Sequence, residues 1–146
     1  MARSGGSRRP RQSDLWRAVS TTYYALFHHI CRNNADLLIG GKSEDRSYLA
    51  WRQAYRSVNH GRARKACENR TMMSRFPTEI EDFANEFVQA QIKRHDADYD
   101  PLASYTRSEV LAEIDTAEAV IGSFRNASLK DSRAFAAWIS LTNRSR

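Results

Sequence analysis

The sequence predicts an all-α chain, an up-and-down four-helix bundle with a short extra helix at its C-terminal end. Three observations lead there. Apolar side chains recur every three or four residues over long stretches, the period of a helix that buries one face. No stretch alternates apolar and polar residues for long, as a half-buried strand would. Helix punctuation stands where the periodic stretches stop: Gly40-Gly41, Pro77, Asp100-Pro101, and Thr106 three residues before Glu109.

The first helix is expected from about Ser13 to about Leu38. Ser13 is placed to cap its first turn, with Asp14 behind it. Leu15, Trp16, Val19, Tyr23, Leu26, Phe27 and Ile30 form one broad apolar face, and Gly40-Gly41 ends the run. The second helix is expected from near Glu44, with Tyr48, Trp51, Tyr55 and Val58 as its stripe. Asn59-His60-Gly61 bends or breaks it, since an interior glycine costs roughly 1 kcal/mol, and helix resumes through Ala63 and Ala66 to about Glu68. Pro77 suits the first turn of a third helix, which carries Ile80, Phe83, Ala84 and Phe87 on one face as far as about His95. Asp100-Pro101 closes that region, because the residue before proline avoids helical angles. Thr106 and Glu109 make a capping box for a fourth helix with Val110, Ile114, Ala117, Ile121 and Phe124 as its stripe. A last short helix, about Asp131 to Leu141, offers Phe135, Trp138 and Ile139. Residues 13–142 thus read as one bundle domain, in a chain of 146 residues that is long enough to bury a real core.

Composition bounds the partners. The 23 Lys and Arg exceed the 17 Asp and Glu, for a net charge of +6. Most of the cations are arginines, whose planar forks suit phosphate and carboxylate. Arg3, Arg8, Arg9 and Arg11 stand in a Gly/Ser-rich head without a carboxylate, so residues 1–12 read as a disordered basic tail able to touch nucleic acid or an acidic protein, or merely to aid solubility. No apolar run approaches the ~18 residues of a membrane span, and no signal-peptide core follows the basic start. No membrane partner is expected, and the expected compartment is the cytoplasm. Cys31 and Cys67 have no Cys-x-x-Cys spacing and read as reduced, packed thiols.

The densest grouping of chemistry is Lys93 to Pro101. Arg94 projects near the centre of the third helix's apolar face, where an unpaired guanidinium would be very costly. In one reading Arg94 binds phosphate and His95 moves protons, its ordinary pKa suiting that role. In the other, Arg94 pairs with Asp98 or Asp100 as a structural lock and Tyr99 plugs the bundle end. Arg52, Arg56 and His60 make a second grouping. Arg56 and His60 are one turn apart if the helix persists, so both reach one phosphate, with His60 as the proton carrier and Arg52 extending the ridge. The plain alternative is a solvated helix face. His28 shares a polar face with Arg17, Thr21 and Tyr24 and is placed to face a dimer cleft, whereas His29 beside Ala18, Thr22 and Ala25 reads as a hydrogen-bonded seam histidine. No metal site is expected from His28 and His29, because neighbouring helical residues point about 100° apart. There is no Gly-rich phosphate loop, and no cofactor is expected.

Two motifs carry a family resemblance. Arg17-Ala-Val-Ser-Thr-Thr-Tyr-Tyr-Ala-Leu-Phe-His28 resembles the first-helix signature of HEPN domains, and Ala97-Asp98-Tyr99-Asp100-Pro101 is similar to the stretch after their third helix. The resemblance covers about residues 13 to 128. It implies a small helical bundle, usually a homodimer, in prokaryotic defence or toxin–antitoxin systems. Many such proteins are metal-independent endoribonucleases, and others are non-catalytic companions of a nucleotidyltransferase. In the catalytic ones an Arg precedes a His by four to six residues. Here Arg56 and Arg52 precede His60 by three and seven intervening residues, and Arg94 directly precedes His95. The expectation is therefore an HEPN-like protein acting on RNA, with His60, His95 and Arg94 as candidate catalytic residues and Arg52, Arg56, Arg17 and His28 as candidate phosphate contacts. The alternative is a binding module that partners a nucleotidyltransferase-type antitoxin or another defence subunit.

Overall fold

A computed structural model of the chain describes residues 11–142. The tail expected at the N-terminal end lies outside them except for Arg11 and Gln12. The described residues form seven α-helices and no strand: α1 Gln12–Ile39, α2 Tyr48–Arg56, α3 His60–Glu68, α4 Arg70–Met73, α5 Thr78–Tyr99, α6 Arg107–Phe124 and α7 Leu129–Ser140. A single 3-10 turn, Ser43–Asp45, joins α1 to α2. The all-α class holds.

The long helix α1 is the axis of the fold and packs against α2, α5, α6 and α7, while α5 packs against α1, α3 and α6. The main core fills the space among them with Tyr23, Leu26 and Ile30 of α1, Phe83 and Phe87 of α5, Phe124 of α6 and Phe135 of α7, all nearly sealed from solvent. Each such side chain contributes about 1.5–3 kcal/mol by leaving water. A smaller cluster at the other end of α1 joins Leu15 and Val19 to Ala97 and Val110. There Trp16 donates to the Ala103 carbonyl at 3.1 Å, and Gln12 clamps the Tyr105 backbone through bonds of 2.8 and 3.0 Å.

Local signals account for most helix ends. The Thr106–Glu109 capping box is present in full at the start of α6. Helix α5 continues past His95 to Tyr99 and stops at Asp100, the residue before Pro101, as the proline requires. Other ends correct the sequence reading. Ser13 does not cap α1; the helix begins one residue earlier, with Arg11 at the cap and no side-chain bond there. The second helix begins at Tyr48 behind a Ser47 cap rather than near Glu44.

The expected second helix breaks where Asn59-His60-Gly61 allowed it, so it is two short helices, α2 and α3, the latter ending at Glu68 as expected, with the four-residue α4 beyond. The Asn59 carboxamide accepts from the Arg62 amide at 3.0 Å and starts α3; Asn69 accepts from the Met72 amide at 3.0 Å and starts α4. Asparagine offers the backbone this alternative to a continuing helix. Of the expected stripe, Tyr48 is exposed and Trp51 and Tyr55 are half-buried, while Val58, just beyond the end of α2, joins the main core. Trp51 is held in place by donating to Asp36 at 2.8 Å, with the Arg46 guanidinium 4.4 Å above its ring. Cys31 and Cys67 are both free and buried, and burial pushes both thiols up to about 12.

At the α5–α6 interface Lys93 pairs with Glu113. Nearby, Glu86 keeps a carboxylate oxygen shielded from water without a hydrogen bond. Burial first, then the Glu113 charge, pushes the Glu86 carboxyl up to about 7 from 4.5, against a weaker opposite pull from Lys93. A carboxyl raised in the folded state holds its proton more tightly there, so its stabilisation is whole below pH 4.5 and is lost as pH rises to 7. Glu86→Gln is therefore expected to stabilise the fold at pH 8 by about 1 kcal/mol, a value reduced for partial exposure, and to change little at pH 4. Urea midpoints at the two pH values check this; equal effects at both would contradict it.

Candidate functional site

The α1 face that carries Tyr23, Tyr24, Phe27 and His28 is a platform onto which three other helices deliver polar groups. Helix α3 delivers His60, its first residue, held in place by the Asn59 cap immediately before it. The His60 ring stacks on Phe27 with centroids 3.7 Å apart, and its Nδ1 lies 2.5 Å from the Tyr23 hydroxyl. Helix α2 delivers Tyr55, whose hydroxyl hydrogen-bonds His28 Nδ1. Helix α5 delivers Arg94. Its guanidinium lies 5.2 Å from the Tyr23 ring centre and 4.9 Å from that of Tyr24, and donates to the Tyr24 hydroxyl at 2.9 Å. Arg94 Nε sits 3.5 Å from Asp98, in ion-pair range. That Nε–H is shielded from solvent and faces the Asp98 carboxylate without forming a close hydrogen bond.

The electrostatics suit proton transfer. Burial, then the charges of Arg94 and His28, lowers the His60 pKa below 6.5. His60 is thus neutral near pH 7 and able to accept a proton. Burial holds the Tyr23 phenol well above its ordinary range, more strongly than the Arg94 charge pulls it down, so Tyr23 keeps its proton. A neutral phenol either donates to Nδ1 or accepts from it. When Nδ1–H donates to Tyr23, Nε2 carries the free lone pair. The cluster therefore combines a base whose tautomer a neighbour orients, a guanidinium laid over two tyrosine rings, and a second histidine, at a partly exposed surface where Tyr24 is 37% accessible.

Of the residues singled out from the sequence, the fold brings together His60, Arg94 and His28. It does not bring the others. His95, adjacent to Arg94 on the helix, turns away onto the exposed Tyr99 ring, centroids 4.8 Å apart. Tyr99 itself is 73% exposed and does not plug the bundle end. Asp98 lies against Arg94, whereas Asp100 accepts from the Leu102 amide at 2.9 Å and serves its own turn. The one-turn relation of Arg56 to His60 fails because the helix breaks between them. Arg52 and Arg56 stand on the exposed face of α2. Arg17 is exposed, 4.0 Å from Asp14, two turns away from Tyr24.

Tyr23, Phe27 and Tyr55 are the candidate site residues that periodicity concealed, because their spacing marks them as core-facing, whereas Tyr24 shares the polar face of His28. Among the described residues, no group of three or more His, Cys, Asp or Glu side chains is arranged to hold a metal ion, and no helix is long and apolar enough to cross a membrane. Comparison with protein-family models, with curated proteins and with solved structures finds no match to this chain.

Proposed function

We propose that this chain is an HEPN-like protein that acts on RNA as a metal-independent endoribonuclease at the His60–Arg94 cluster. The observation that carries this reading is the meeting of His60 and Arg94 on Tyr23. His60 Nε2 takes the proton from a ribose 2′-hydroxyl, whose oxygen attacks the adjacent phosphorus. Negative charge grows on the phosphate oxygens beside Arg94, whose guanidinium charge stabilises it. The bond to the 5′ oxygen breaks, and that oxygen takes a proton from solvent, leaving a 2′,3′-cyclic phosphate and a 5′-hydroxyl. Tyr23 orients His60 through Nδ1, as a third group orients the base in other nucleophile–base pairs. On this reading the protein works as a homodimer in a toxin or defence system, with two clusters facing one cleft.

A second reading has support of its own. His60 and Arg94 come from different helices and not from one Arg-x(4–6)-His run. That favours a non-catalytic module partnering a nucleotidyltransferase or another subunit. Incubation of purified protein with mixed RNA in EDTA separates the two. Cleavage is expected in the wild type and in His95→Ala, with His60→Ala slower by at least about 100-fold. An inert wild-type dimer on varied RNAs would exclude the ribonuclease and leave the module. Cleavage that survives His60→Ala would remove the chemistry from this cluster.

A further inference from the structure

Cationic and titratable groups outside the cluster also line a cleft beside His28. This cleft of about 500 Å³ opens between α1, α6 and α7, a volume suited to a small ligand. Two of its lining residues keep a polar atom without a partner: His29 Nε2 and Asn33 Nδ2 are both shielded from water, and neither makes a hydrogen bond. Two such atoms in one cleft are a debt that native structures rarely leave standing, since an unmet buried polar group costs about 1–3 kcal/mol. The His29 ring is wedged between Phe83 and Phe124, with centroids 5.1 and 4.6 Å away.

The charge of the lining names the ligand's sign. Arg32 of α1 and Arg125 at the C-cap of α6 both line the cleft, and among the described residues neither takes part in an ion pair. Both act on His29: burial first, then Arg125 and Arg32, lowers its pKa to about 4. Ser132, near the start of α7, adds a hydroxyl at the positive end of that helix's dipole. The one carboxylate in the lining, Asp36, has its Oδ1 already engaged by Trp51 at 2.8 Å and Arg46 at 3.2 Å. An oxoanion with several acceptor oxygens matches this set: two guanidinium forks, a carboxamide N–H₂ and an imidazole N–H.

We propose that the α1–α6–α7 cleft is a binding site for a phosphate dianion, held by Arg32, Arg125, Asn33 and His29. It is distinct from the His60–Arg94 cluster but adjoins it, because His28 belongs to both. The same chemistry is offered by free phosphate, by a small phosphomonoester and by the terminal phosphate of an RNA.

The test is a titration of the full chain with inorganic phosphate at pH 7, following the His29 ring signals by NMR, with chloride at matched ionic strength as the control. A saturable shift of His29 specific to phosphate is expected, and the His29 pKa should rise when phosphate is present, because a bound anion opposes the two guanidinium charges. Arg125→Gln and Arg32→Gln, both at exposed positions that do not threaten the core, should each weaken binding about tenfold. Arg75→Gln, an exposed arginine outside the cleft lining, should leave it unchanged. Competition by a 5′-phosphorylated RNA trinucleotide but not by its 5′-hydroxyl form would support the site and make an RNA end its ligand; no competition by either, with phosphate still bound, would support the site and make a small phosphate its ligand. No saturable shift up to roughly tens of millimolar phosphate, an equal response to chloride, or undiminished binding in both arginine variants would overturn it. The site does not depend on the ribonuclease reading: phosphate binding without RNA cleavage would leave it standing.

Discussion

Phe83→Ala is expected to lower the unfolding free energy by about 3–5 kcal/mol, the range for an aromatic removed from a rigid core. Phe83 has no accessible surface. It is the point at which four helices meet: from α5 its ring touches His29 of α1 at 5.1 Å, Phe124 of α6 at 5.1 Å and Phe135 of α7 at 6.3 Å between centroids. Phe124 and Phe135 are themselves in edge contact at 5.4 Å, so the rings brace one another and cannot all turn inward to fill a void. A urea titration should show a lower midpoint with an unchanged slope, which marks lost stability rather than a changed denatured state. A loss under about 1.5 kcal/mol would mean that the neighbours collapse into the space, and the core would have to be described as deformable.

Arg94→Ala is expected to reduce RNA turnover by about 10²–10³-fold, the usual cost of removing one donor from a charge-stabilising site. Its effect on the fold should be small. Arg94 is partly accessible, and its stacking over Tyr23 and Tyr24 contributes about 0.5–1 kcal/mol at such a position. The separation of the two effects is the informative part, since a variant that merely unfolds would lose both together. Arg94→Lys should not restore turnover. Lysine keeps the charge but has no planar group to lie on two tyrosine rings while reaching a phosphate. Asp98→Asn removes the nearby carboxylate at 3.5 Å and should have a smaller effect than Arg94→Ala, because Tyr24 still accepts from the guanidinium. Measured kcat for the four proteins, beside their urea midpoints, checks this. Wild-type turnover in Arg94→Ala would exclude any part for Arg94 in the reaction.

Much of the fold was legible because its causes are local. The helical period along Tyr23, Leu26, Phe27 and Ile30, the Thr106–Glu109 capping box and the stop before Pro101 each depend on residues within a turn or two of one another. The break at Asn59 was only half legible. Both outcomes, a bend within a helix or a cap between two, use the same residues, and packing of α3 against α5 and α7 goes with the cap. The Ser13 cap failed for a related reason: a residue able to cap need not do so when Gln12, one position earlier, is drawn into the helix and tied to Tyr105 across the fold.

The site divides in the same way. The sequence alone determined that this chain is helical, that its cations are mostly arginine, and that His60, His28 and Arg94 were worth watching. Which of them act together was decided by tertiary structure. His60 and Arg94 stand on α3 and α5 and meet only because α1 puts Tyr23 between them; His95, beside Arg94 in the chain, is turned away by the 100° step of the helix that carries both. Helix periodicity reports which face of a segment is apolar. It says nothing of which other segment will lie against that face, and a site assembled from four helices is written in those contacts.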